Sequence, residues 1–212
     1  MTCAEFFMSI FRFFGDFFVA LFGAGFGAYA AFHFTSKKQQ QNETKKQWGD
    51  VASVFYLLSA RLSAAENFAR KYLSDDRSKI SEEKTFQYLY QQFPAERMVL
   101  ANLTSLISGT TAQLIQDLSD AEMRYFNLVD AHNVRQTALT EMIKEVPVET
   151  KLNIPAHIVR GRCGQMLILQ NDNLVKSVNW AVANLEEEIQ KLSIAIKEKF
   201  PKMPRLSGNL KK

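Results

Sequence analysis

The sequence predicts an all-α chain: an N-terminal transmembrane helix, a polar stalk, and an antiparallel cytosolic bundle of three long helices joined by short ones. Three observations carry that expectation. Residues 17–34, FFVALFGAGFGAYAAFHF, hold no formally charged side chain. Apolar positions recur at alternating steps of three and four through most of the chain beyond Trp48. Proline and glycine fall at the breaks between those stripes.

The charge-free run comes first. At about 1.5 Å per residue it makes a helix of roughly 27 Å, close to the thickness of a hydrocarbon core. Apolar character reaches back through Phe6, Phe7, Ile10, Phe11, Phe13 and Phe14, interrupted by Arg12 and Asp16, which lie one helical turn apart and can pair. Eleven of the seventeen phenylalanines fall in the first 34 residues, so the aromatic content belongs to this segment and does not argue for a large core elsewhere. Ala28-Tyr29-Ala30 has the form of an export-signal cleavage site, but the start MTCAE is acidic where a signal is basic. A retained anchor is the expectation. Lys37, Lys38, Lys45 and Lys46 follow the run, against only Arg12 and the terminal amine before it, which places the N-terminus outside and the body in the cytoplasm. Ala20, Ala24 and Ala28 form one helical row, and Gly23, Gly27 and Ala31 the next; such rows let two helices pack closely in lipid and point to self-association.

The expected organisation is therefore an anchor over 1–35, a stalk over 36–47, a helical bundle over 48–200 and a basic tail over 201–212. The stalk KKQQQNETKKQ lacks proline and glycine, so helix can continue through it. From Trp48 the stripe Val51, Phe55, Leu58, Leu62, Ala65, Ala69, Tyr72 marks the first bundle helix, ending at Ser74-Asp75-Asp76-Arg77-Ser78. Between Ile80 and Gly109 no period survives across Pro94, and short helices are expected. Capping-box spacings at Thr110 to Gln113 and at Ser119 to Glu122 offer two starts for a second long helix that runs to about Glu145, before Pro147. A third starts near Gly164, carries Leu167, Leu174, Val178, Ala181, Leu185, Ile189, Leu192 and Ile196, and closes before Pro201.

The residues that could carry chemistry are few. His33, His132 and His157 sit in three different segments and form no metal-ligand spacing, so neither a metal nor another cofactor is expected. Two cysteines, Cys3 and Cys163, make no disulfide framework. No nucleophile elbow, phosphate loop or kinase signature occurs. The stretch His157 to Gly164 places Arg160 and Arg162 beside Cys163 at a helix start, where they would depress the thiol pKa and hold an anion. It lacks an identifiable base, and a basic loop capping the last helix is the preferred reading. A net charge of +4, concentrated after the apolar run and in the tail, fits anionic lipid headgroups at about 1 kcal/mol per lysine and does not call for nucleic acid.

One feature of the second long helix stands out. Leu114, Leu118, Ala121, Tyr125 and Leu128 define an inward seam whose next positions are His132 and Arg135, before Leu139 and Met142 resume. A polar pair in an apolar seam fixes register and needs carboxylate or carbonyl partners; a ligand pocket is the second reading. If the pair were a self-contained layer, replacing both residues with leucine could be neutral.

The order FGAGFGAYAAF, polar stalk, VASVFYLLSARLSAAENF, LSDAEMRYFNLVDAHNVR and KEKFPKMPRL resembles a loose group of uncharacterised bacterial single-pass membrane proteins. The resemblance implies a bacterial inner-membrane setting and transfers no functional residue. The expected function is a non-enzymatic assembly or signalling module with a protein partner. A membrane-perturbing effector of a defence or toxin system is one alternative, motivated by Arg12 and Asp16 in an apolar segment. An enzyme working through the Arg160 to Gly164 loop is the other.

Overall fold

The computed structural model describes residues 3–106, 111–146, 154–204 and 206; the side chains of 3–25, 102, 104, 105 and 111 lie outside that description. The chain is all-helical, with no named strand among the described residues. In order come α1 (Cys3–Tyr72), 3-10 turns at Glu82–Lys84 and Leu100–Leu106, α2 (Thr111–Glu145), the short α3 (Ala156–Arg160) and α4 (Arg162–Lys199). It divides into two compact units, Met1–Gln47 and Trp48–Lys212.

In the first unit, residues 36–43 and 45–47 are exposed helix, as their polar composition requires. Ahead of them Phe26, Tyr29, Phe32 and Phe34 are 68–75% exposed. No helix is long and apolar enough to cross a membrane among the described residues. Half of the expected span, 17–25, lies outside the described side chains, and so do Ala20, Gly23 and Ala24 of the small-residue rows. Of the rest, Gly27 and Ala28 are exposed, as is Ala31, and a Cβ on Gly27 would meet nothing.

The second unit is built on α1 from Trp48, α2 and α4. Val51, Phe55, Leu58, Leu62, Ala65, Ala69 and Tyr72 are all buried on α1, and Leu174, Val178, Ala181, Leu185, Ile189, Leu192 and Ile196 on α4, so each apolar stripe faces the common core. Arg61 to Glu122 and Phe68 to His132 set α1 and α2 side by side and parallel. Lys191 to Asp117, Arg124 to Asn184 and Arg135 to Asn171 run α4 antiparallel to α2. α2 begins at Thr111, one residue after Thr110, which is outside the described residues; Ser119 of the other capping spacing lies inside the helix.

α1 stops at Tyr72, where Asp76 accepts hydrogen bonds from Ser74 and Ser78 and a bridge joins Leu73 to Ile80. These bonds hold the Asp76 carboxyl down at about 2. Among the described residues, the short helices expected between Ile80 and Gly109 occur as two 3-10 turns. Between them, residues 85–99 form a strap without regular structure that lays Leu89 and Met98 into the core. Pro94 denies this stretch a continuous helical ladder, and side chains from the helices supply the bonds instead. The expected loop before α4 also contains a short helix, α3, whose backbone lies so close to α4 that a Cβ on Gly164 would run into the carbonyl oxygens of Ile158 and Val159.

Candidate functional site

The core is two apolar clusters, not one. The larger takes α2 as far as Leu128; the smaller joins Ala138, Leu139, Met142 and Val146 to Ile158 and Leu167. Between them on α2 lie His132 and Arg135, with Asn171 facing from α4, all three buried.

Arg135 is fully buried and uses all five of its N–H donors. Nε donates to Asn171 Oδ1 at 2.9 Å. Nη1 donates to the Gln87 carbonyl at 2.6 Å and to Gln136 Oε1 at 3.1 Å. Nη2 donates to the carbonyls of Thr85 at 2.8 Å and Lys84 at 3.3 Å. No carboxylate is among these acceptors. Burial pulls the guanidinium down to about 10, which still leaves it charged at neutral pH, held by neutral oxygens. His132 Nε2 meets the Leu89 carbonyl at 2.6 Å; a carbonyl only accepts, so this nitrogen carries the proton. Gln136 Nε2 donates to the same oxygen at 2.7 Å, filling its second lone pair. The ring of His132 stands edge-on to Phe68 and Phe93. Tyr72 adds a bond from its hydroxyl to the Tyr90 carbonyl at 2.8 Å. The polar layer therefore grips the main chain of 84–90, where α1 has ended and the strap covers the core.

A second layer, not expected from the sequence, holds the far end of the strap. Arg61, fully buried on α1, bonds the Glu96 carbonyl and pairs with Glu122 at 3.2 Å. Glu122 Oε1 also accepts the Met98 amide at 2.6 Å. The Arg61 guanidinium lies 4.7 Å from the ring centre of Tyr125 and 5.2 Å from that of Phe126. Arg61 Nε and Nη1 and the Tyr125 hydroxyl have no hydrogen-bond partner among the described residues. Burial pushes the Tyr125 phenol up to about 12, against the pull of Arg61. A signal for Arg61 did exist: Val54, Leu58, Arg61, Ala65, Phe68 and Tyr72 follow steps of four and three, and all are buried.

On the α2–α4 edge, Lys191 bridges Glu187 and Glu188 at 2.8 Å and Asp117 at 3.1 Å, and these bonds raise its pKa. Glu188 is buried, which raises its own. The group fixes the pairing of two helices; as a partly exposed network its contribution to stability is modest.

Arg160 ends α3, whereas Arg162 and Cys163 open α4 across Gly161. A hydrogen bond to Glu145, burial and the charges of Glu145 and Glu141 push the Cys163 thiol up, outweighing Arg162. The expected depression of that thiol is thereby reversed, because the facing end of α2 is acidic. Among the described residues no group of three or more His, Cys, Asp or Glu side chains could hold a metal ion.

What the two arginine layers can do chemically is bind carbonyl oxygens and set a backbone in place. Neither presents a nucleophile beside a base. Compared with known proteins, the chain matches no family model, no curated protein and no solved structure.

Proposed function

We propose that the protein is a non-enzymatic, single-pass protein of a bacterial inner membrane, whose cytosolic helical bundle mediates assembly or signalling through a protein partner. The observation that carries this reading is the aromatic surface at Phe26, Tyr29, Phe32 and Phe34, 68–75% exposed at the end of a run of eighteen residues without a charge. An aromatic surface of that kind in water is an aggregation hazard; in a bilayer it is in its own solvent. Tyr29 and His33 stand at the polar end of the run, just before Lys37 and Lys38, an order that suits a membrane–water boundary. The bundle supports the non-enzymatic half of the reading, because Arg135, His132 and Arg61 are engaged with the chain's own backbone.

Orientation follows from the lysines after the run, so a reporter enzyme that works only in the cytoplasm, fused after Lys212, should be active. Changing Lys37, Lys38, Lys45 and Lys46 to glutamine should give a mixed population. Full activity of a periplasm-dependent reporter at the same site would overturn the orientation.

A further inference from the structure

Beyond α4 the chain folds back on itself. The Phe200 amide bonds the Ile196 carbonyl and the Met203 amide bonds the Phe200 carbonyl, so residues 200–203 wrap the helix end. Ile196, Phe200, Met203 and Leu206 then line a cavity of about 420 Å³, with Ser193 and Lys197 at its edge. Lys197, Lys199 and Lys202 are exposed around this turn. The nearby carboxylate of Glu198 belongs to a separate groove with Asp117 and Lys191.

The position of this cup within the bundle is set by register. α1 and α2 run parallel from Trp48 and Thr111, and α4 returns antiparallel, so the cup lies at the end of the bundle where Trp48 enters the core. An apolar cavity of this size, with Lys197 at its edge and Lys202 exposed on the turn that walls it, is complementary to an amphiphile with an anionic head. A free phosphate would use the lysines and leave the apolar wall uncovered.

We propose that the cup takes an acyl chain of an anionic phospholipid, with the lipid phosphate held by Lys197 and Lys202, as a second lipid contact of the bundle. The proposal rests on the membrane reading above, and adds to it a site in the folded domain with a preference for headgroup charge. The occupant is a phospholipid and not a protein helix because the cup is lined by one helix end and by Pro201, Met203, Pro204 and Leu206, whereas a helix needs a groove several turns long.

The test uses the purified full chain in a mild non-ionic detergent, with phosphatidylglycerol or phosphatidylcholine added and bound lipid read by native mass spectrometry. One phosphatidylglycerol should be retained at roughly tenfold lower concentration than phosphatidylcholine. Lys197→Glu with Lys202→Glu should abolish that preference, and Met203→Asp should weaken retention of both lipids, with helix melting by circular dichroism unchanged in each. Equal retention of the two lipids, or a preference that survives the charge reversal, would overturn the proposal. So would saturation of the effect by inorganic phosphate alone, or a tenfold gain in retention for a chain ending at Leu206, which would make residues 207–212 the occupant. Deleting residues 17–34 separates this site from the anchor: the shortened chain should leave the membrane fraction and keep its lipid preference. Loss of the preference with the span would place the lipid on the anchor and overturn the cup.

Discussion

Arg135 shows how a charge is kept in a core without a counter-ion. Five neutral oxygens surround its five donors, and three of them are main-chain carbonyls of residues 84, 85 and 87. Arg135→Ala should destabilise the bundle by about 3–5 kcal/mol, because the Gln87 carbonyl and Asn171 Oδ1 lose their donors and the Lys84 and Thr85 carbonyls keep one each, from the Gln87 amide and Asn171 Nδ2. Denaturant unfolding checks it, with the midpoint falling at constant slope; an unchanged midpoint would free Arg135 for a binding role. Leucine at both 132 and 135, which the sequence alone suggested could be neutral, should also destabilise. The partners are backbone oxygens, and no side-chain substitution removes them. Tyr125 gives a pH counterpart. Its phenol ionises at about 12 in the folded chain against an ordinary value of 10, so folding favours the neutral form. That contribution is whole below pH 10 and is lost as pH rises from 10 towards 12. Absorbance titration of the six tyrosines should show one that ionises late; Tyr125→Phe should remove that late step.

At the scale of elements, the strap is the part with the least of its own structure and the most borrowed support. Its carbonyls are held by Arg135, His132, Gln136, Tyr72 and Arg61, and its Met98 amide by Glu122. Such an element leaves almost no mark in sequence. Helices announce themselves by a 3.6-residue period, so α2 and α4 could be read to within a few residues of Thr111–Glu145 and Arg162–Lys199. Leu89 and Met98 have no period; the donors to the Leu89 carbonyl, His132 and Gln136, lie 43 and 47 positions away, and Glu122, which accepts the Met98 amide, lies 24 away. The seam positions of His132 and Arg135 were legible from spacing; that they grip a strap was not. Gly164 is a second case, since only the tertiary approach of α3 explains why it carries no side chain. Gly164→Ala should push α3 off α4, costing about 1–3 kcal/mol. Cys163 beside it should then react faster with a thiol reagent, and an unchanged rate would mean that α3 has room to give.

At the scale of the whole molecule, the chain divides at Gln47 into a first unit whose described side chains, 26–47, are mostly exposed and a second unit with a closed core. The second unit has a closed core in which Phe55, Phe68, Tyr125, Leu128 and Met142 are essentially fully buried, with Tyr90 and Trp180 left exposed singly on its surface. The first has Phe26, Tyr29, Phe32 and Phe34 outside. Burying such rings stabilises by about 1.5–3 kcal/mol each, so leaving several uncovered in water is costly unless another apolar phase receives them. The composition of residues 17–34 makes that contrast legible in the sequence, since it places eighteen uncharged residues directly ahead of a lysine-rich stalk. The identity of the proposed partner was not legible, because recognition of another protein depends on the shape of exposed surface and not on the periodicity that reveals a core. The central proposal, that residues 17–34 lie in lipid, is tested most directly by washing membranes at alkaline carbonate pH and floating them on a density gradient. The full chain should float with the bilayer and the chain lacking residues 17–34 should stay in the wash; a full chain recovered in the wash would contradict the account.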